Sequence, residues 1–189
     1  MTGAGVSLIR PGPEHLPSYV AALKRDWSPD NVRGRATAEE HLEWIGRDPD
    51  GFLASLDDPE GRGAPRRLPD GSTVKRLPGI SRWIWTDDFC GTIGFRWQPG
   101  AADLPPYVLG HIGFAVVPWR RRQGLATRAL ALMLEEARGR GLPFVEITTT
   151  PDNVASQRVI EGNGGMLVER FEKIAAYGGG EALRYRIAL

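Results

Sequence analysis

The run Arg120-Arg121-Arg122-Gln123-Gly124-Leu125-Ala126 holds the residue types and spacing best suited to chemistry in this chain. It lies between a strand-like apolar run at 111–117 and a helix-like run at 125–137, with Pro118 at the junction. A basic, glycine-containing loop that opens a helix is an anion cradle. Glycine lets backbone N–H groups approach a ligand without an intervening side chain. The helix start adds unpaired donors and partial positive charge, and arginine adds fixed cationic donors suited to phosphate. The loop therefore points to a phosphorylated ligand. The dinucleotide fingerprint G-x-G-x-x-G and the nucleotide P-loop are both absent. A helix entry with a solvated basic cluster is the plainer alternative.

The spacing Arg121-x-x-Gly124-x-Ala126, preceded by Val116-Val117-Pro118, resembles the acyl-CoA pyrophosphate loop of the GNAT N-acetyltransferase superfamily. Asn153, Ser156 and Gly164-Gly165 follow at the family's intervals, so the likeness runs from about Gly110 to Gly165. With Gly110-His111-Ile112-Gly113-Phe114 it is also similar to a bacterial subgroup of that family whose strand reads Gly-His-Ile-Gly-Phe/Tyr. The resemblance implies an α/β acyl-CoA N-acyltransferase fold with a mixed central sheet of about seven strands flanked by about four helices. It implies acetyl-CoA as acyl donor and an amine acceptor, attacked directly without a covalent enzyme intermediate. It implies a pyrophosphate site on the backbone and side chains of Arg121, Arg122, Gln123, Gly124, Leu125, Ala126 and Thr127. The pantetheine arm would pair with the main chain of Ala115, Val116 and Val117, beside a bulge where the fourth strand splays from the fifth. The Val116 N–H would polarise the thioester carbonyl. Asn153 would bind the arm or simply cap a helix, and Ser156 would contact the cofactor or provide a small packing surface.

Acyl transfer to an amine needs a base, because deprotonating a lysine-like amine at neutral pH costs about 4 to 5 kcal/mol. His111 and Glu146 are the candidates. A histidine at the start of the fourth strand has a suitable pKa, or it is hydrogen-bonded glue between neighbouring segments. A carboxylate amid Phe144-Val145-Glu146-Ile147 is costly to bury unless protonated or paired. A raised pKa would suit a base, and an ion pair with arginine is the alternative. The family's usual acid, a tyrosine seven positions after the motif asparagine, is replaced by Ile160, which leaves Tyr107, Tyr177, Tyr185 or water. That loss leaves room for a non-catalytic acyl-CoA-binding sensor, and a third reading is an acyltransferase using a longer acyl-CoA or an oxygen acceptor. Cys90 lacks a histidine-pairing signature and reads as a small buried residue. Trp83 and Trp85 share one strand face and are the candidate acceptor-binding residues, or core packing. Asp87 and Asp88 would attract an amine or form a turn before Phe89.

These residues need positioning elements. Strands are expected at 6–10, 81–86, 92–97, 111–117, 144–150, 166–172 and 182–188. Helices are expected at 14–27, from a Thr37-x-x-Glu40 capping box through Ile45, at 125–137 and at 153–161. Residues 57–79, rich in Pro, Gly, Arg and Asp, read as a long mobile loop. The 189 residues are expected to form a single domain with a sizeable core. A net charge of +1 argues against a nucleic-acid binder driven by bulk charge. One cysteine excludes an internal disulfide framework and suits a reducing compartment. No apolar run is long enough for a membrane span, and no secretory signal is evident. Cytoplasmic location, no metal and a possible homodimer complete the expectations.

Overall fold

Two strands of alternating character, 79–85 and 89–96, anchor the fold. In the computed structural model, which describes residues 5–68 and 71–189, the elements in chain order are as follows. The N-terminal part contains β1 (Ser7–Ile9), α1 (Leu16–Lys24), α2 (Arg35–Arg47), α3 (Pro49–Ser55), β2 (Asp57–Asp58), β3 (Arg66–Arg67) and β4 (Thr73–Val74). The centre contains β5 (Gly79–Trp85), β6 (Phe89–Arg96), β7 (Ile112–Val116) and α4 (Leu125–Arg138). The C-terminal part contains β8 (Phe144–Thr149), α5 (Val154–Glu161), β9 (Met166–Glu172) and β10 (Glu181–Ala188).

The seven longer strands fall into two antiparallel sheets, β1-β5-β6-β7 and β8-β10-β9. Strand β2 adds to β5, and β3 pairs only with β4. β7 and β8 are edge strands of their respective sheets. The parity of β6 divides the core. Ile93 and Phe95 face α4, whose Ala129, Leu130, Met133, Leu134 and Ala137 recur at three- and four-residue intervals and meet Val145, Ile147, Leu183 and Ile187 of the second sheet. Trp83 and Phe89 pack on the opposite side with Tyr19, Leu23, Trp27 and Phe52 from α1 to α3. Leu130 and Met133 are fully buried, worth about 1.5–3 kcal/mol each.

Four local features differ from expectation. The Thr37 capping box is not formed: the helix already begins at Arg35 after Gly34, and the buried Thr37 lies in its first turn, donating to Asp30 Oδ2 at 3.4 Å. An unexpected helix, α3, follows, with Pro49 in its first turn and Asp48 accepting from Gly51 N at 2.9 Å. Residues 57–79 contain three short strands, and Asp58 accepts from the N–H groups of Arg62 and Gly63 at 2.9 and 2.8 Å. The bulge also sits elsewhere. It falls at Cys90 in β6, where the β5 register shifts between Ile84 and Trp85. Among the described residues no helix is long and apolar enough to cross a membrane.

Candidate active site

Edge strands tend to pair, so the separation of β7 from β8 needs a cause. It lies in Gly110-His111. His111 is fully buried, and its N–H donates to Glu146 O at 2.7 Å. Its ring accepts from Glu146 N at Nδ1 (2.9 Å) and donates from Nε2 to Ala102 O (3.2 Å). A Cβ at Gly110 would lie 3.0 Å from Glu146 O, so glycine permits the close approach. The two sheets are thus joined at one end of β7.

Beyond that junction the backbone of β7 is open. Val117 N donates to Cys90 O (3.0 Å) and His111 O accepts from Arg96 N (2.9 Å), which fixes the odd positions toward β6. Strand parity then turns the polar groups of Phe114 and Val116 away from β6. Arg121 Nε donates to the Val116 carbonyl at 3.2 Å, leaving the Val116 N–H and both groups of Phe114 facing the gap. Ala115 and Val117 have their main-chain groups on the β6 side, which corrects two of the three expected backbone contacts and adds Phe114. Gly91 sits opposite Val116 with φ +151°, and a Cβ there would meet Ala115 O at 2.2 Å.

The gap opens onto a groove of about 590 Å³. Of the residues expected from sequence, Ala115, Val116, Arg121, Arg122, Gly124, Leu125, Ala126, Thr127, Asn153 and Ser156 line it, whereas the fully buried Val117 and the exposed Gln123 do not. Gly124 has φ +73° and forms the N-cap of α4 with no side-chain cap, so the first N–H groups of a 14-residue helix face the groove. Arg128 N is the donor that reaches the Gly124 carbonyl, at 3.1 Å. Of the three arginines, Arg120 is held by Thr86 Oγ1 (2.6 Å) and Asp87. The Thr86 hydrogen bond, then its own backbone N–H and Arg120, hold the Asp87 carboxyl down at about 2, so Asp87 is a partner of the loop rather than an amine trap. Asn153 caps α5, its Oδ1 accepting from Ser156 N at 3.1 Å. This N-cap role leaves its amide nitrogen available to a ligand.

A second cavity of about 550 Å³ shares Asn31, Phe114, Asn153 and Ser156 with the groove. Tyr19, His41, Trp83, Ser81, Thr92, Gly94 and Gly113 line one side, and residues 147–150 with Tyr177 line the other. Trp83 is buried and stacks on Tyr19 (centroids 4.9 Å apart), so it backs this cavity. Trp85 is outside it, packed edge-on against His15 at 4.6 Å. His41 and the Tyr19 hydroxyl share a hydrogen bond of 2.8 Å at Nδ1. Burial pushes the His41 pKa below its ordinary value, against the opposing pull of Glu40 and Asp30.

Neither expected base faces either cavity. His111 has both ring nitrogens engaged, and burial pushes its pKa down. Glu146 is clamped by Arg186 Nη2 (2.6 Å) and Arg184 Nη1 (2.9 Å). Burial works to raise its pKa, but the two arginines together lower it, the opposite of what a base needs. Ile160, at the usual acid position, is fully buried. Of the tyrosines, Tyr177 reaches the cavity with its hydroxyl donating to Tyr107 O (2.9 Å), while Tyr185 is buried against Glu161 (3.1 Å).

Sequence reading missed His41, Tyr19 and Arg96. Arg96 alone carried a local signal: Thr92, Gly94 and Arg96 alternate with apolar Ile93 and Phe95. His41 and Tyr19 meet through helix packing, which no spacing encodes.

An α/β wedge with a helix-capped anion loop beside a splayed strand defines the class. The sequence matches the acetyltransferase (GNAT) family over residues 20–164, and the chain belongs to that family. Among curated proteins none matches it. The fold is similar to RimL, a ribosomal L7/L12 alpha-N-protein acetyltransferase solved with coenzyme A. That likeness has a TM-score of 0.66 and 15% identity, and covers 100% of this chain and 96% of that one. It is also similar to Mycobacterium smegmatis RimJ in complex with CoA-disulfide (TM-score 0.64, 19% identity, 97% and 81% covered). A third likeness is to the microcin C7 self-immunity acetyltransferase MccE with acetyl-CoA and AMP (TM-score 0.57, 11% identity, 100% and 94% covered).

Proposed function

We propose that this protein is an acetyl-CoA-dependent N-acetyltransferase. The observation that carries the reading is the meeting of the two cavities at Phe114, Asn153 and Ser156. A sensor needs only the groove. The adjoining cavity supplies room for an acceptor beside the thioester, which favours turnover. The residues present fit the donor: the uncapped start of α4, Arg121 and Arg122 suit a pyrophosphate, and the open edge of β7 suits an amide-bearing arm. Acetyl-CoA supplies the thioester-activated acetyl group. The Val116 N–H faces the position where negative charge develops on its carbonyl oxygen.

His41 is the base in this reading. With Nδ1–H donating to the Tyr19 oxygen, Nε2 keeps a lone pair to take the ammonium proton, directly or through water. Its depressed pKa keeps the ring neutral at pH 7. The amine then attacks the thioester carbonyl carbon, the C–S bond breaks, and the sulfur leaves as thiolate. The Ser156 hydroxyl, lining both cavities, hydrogen-bonds that sulfur in place of the absent tyrosine, and water supplies the proton.

The test is isothermal titration with acetyl-CoA of the wild type and of Gly124→Glu. A Cβ at Gly124 meets nothing within 4 Å, but φ +73° strains any side chain there, so the melting temperature of the variant is read beside its binding; the glutamate places bulk and negative charge where the pyrophosphate would sit. Micromolar binding lost in the variant supports the reading. Absence of binding by the folded wild type overturns it.

A further inference from the structure

The acceptor cavity has a one-sided charge. Overall the chain is balanced, 24 Lys and Arg against 23 Asp and Glu. Yet among the described residues lining this cavity there is no carboxylate, whereas Arg96 and Lys173 both line it. The cavity continues at Leu56, Ser81, Gly94 and Arg96 into a second space of about 460 Å³, bounded by residues 64–66 and 74–77. That space carries Arg66, Lys75 and Arg76 in addition to Arg96, and again no described carboxylate lines it.

Arg96 stands at the waist between the two. Buried arginines are ordinarily paired. Among the described residues none places a carboxylate within ion-pair distance of this guanidinium. Arg66 and Arg76, of like sign, repel it, and burial followed by these two pushes its pKa down. Arg76 has a carboxylate neighbour, Asp58 at 3.6 Å. Small side chains surround the waist: Ser81, Gly94 and Gly113 leave space above the sheet, and a Cβ at Gly113 meets nothing within 4 Å. An unpaired, partly desolvated cation beside open space is a site awaiting an anion.

We propose that the acceptor carries an anionic group, carboxylate or phosphate, and that Arg96 receives it, with Arg66, Lys75 and Arg76 beyond. This rests on the transferase reading only for the amine, since the anion site is readable without turnover. From Gly91, opposite Val116, to Arg96 is five residues of strand, about 17 Å. That is far more than the span of a free amino acid, so the anion and the amine lie at opposite ends of an extended acceptor.

The test uses the whole protein saturated with CoA, so that the α4 loop is filled. Inorganic pyrophosphate and the tricarboxylate citrate are titrated separately into the wild type, Arg96→Gln and Lys75→Ala. Wild-type binding of at least one probe is expected, weakened about tenfold or more by Arg96→Gln and less by the exposed Lys75→Ala. The tighter probe identifies phosphate or carboxylate. Should Arg96→Gln fail to fold, Arg66→Gln and the salt dependence of wild-type binding carry the test. Absence of binding of either probe by a wild type that still binds CoA overturns the proposal and leaves the transferase reading intact. Binding unaffected by a folded Arg96→Gln also overturns it, as does, where that variant fails to fold, binding unaffected by Arg66→Gln.

Discussion

Replacing His111 with leucine separates a structural imidazole from a catalytic one. Leucine has similar bulk and no polar atoms. Two groups lose partners: the buried Glu146 N–H, which donates to Nδ1, and the half-buried Ala102 carbonyl, which accepts from Nε2. Stranding the buried N–H costs about 1–3 kcal/mol, while the carbonyl regains water and costs about 0.5–1 kcal/mol. The sum, about 1.5–4 kcal/mol, corresponds to about 3–16 °C in melting temperature for a chain of this size. The pH dependence adds a signature. Burial holds the folded-state pKa of His111 below 6.5, so the unfolded state binds more protons as the solution is acidified. The contribution is intact above about pH 6.5 and declines as pH falls through the folded pKa, with a slope of up to about 1.4 kcal/mol per pH unit. His41 declines in the same direction, so the wild-type slope contains both and His111→Leu retains only one. Denaturant unfolding at several pH values, with acetyl transfer measured at saturating acetyl-CoA below the melting temperature, reads all of this. Lower stability, a shallower acid slope and turnover within a few-fold of wild type are expected. Unchanged stability with turnover abolished would refute the reasoning and return His111 to the role of base.

Two further outcomes follow from the same geometry. Gly91→Ala forces a Cβ toward Ala115 O at 2.2 Å from a backbone with φ +151°, so both acetyl-CoA affinity, read by titration, and melting temperature fall together, the latter by about 1–3 kcal/mol equivalents. His41→Gln leaves acetyl-CoA binding unchanged and lowers kcat about a hundredfold or more. In the wild type, kcat/KM falls as pH drops below 6.5 and protonates His41, and a His41→Gln profile that keeps that limb would assign it to another group.

The strands and long helices were legible because their periodicity reports burial directly. In β6, Ile93 and Phe95 alternate with Thr92 and Gly94, and α4 repeats its apolar residues at three and four. The loop from Arg121 to Thr127 was legible because a helix start is a local object. What failed was non-local. Glu146 looks like a costly buried acid until Arg184 and Arg186, on the neighbouring strand, are brought beside it. Helix α3 was not expected, because residues such as Asp48-Pro49-Asp50-Gly51 serve turns and helix N-termini alike. The near-zero net charge conceals the cationic cavity beside the groove, since a sum over the chain carries no position.

The behaviour of His111 follows from what a splayed pair of edge strands requires. Two unpaired edges lying side by side gain hydrogen bonds by closing, and closure would remove the backbone that a pantetheine arm needs. A ladder rung at this point would give the Glu146 N–H to a carbonyl of β7. Here the N–H goes to the imidazole Nδ1 instead, while the Glu146 carbonyl takes the His111 N–H at 2.7 Å, so one residue satisfies both main-chain groups of Glu146. Gly110 lets the chain reach β8 just before the ring, and Gly113 leaves space just after it. Nε2 is anchored on Ala102, which fixes the ring plane and the tautomer. The stretch from Gly110 to Gly113 therefore marks the point where the two strands part, with no main-chain group of Glu146 left unpaired. A leucine at His111 fills the volume but satisfies nothing, so the wedge is expected to relax toward pairing, and acetyl-CoA affinity is expected to fall further than kcat.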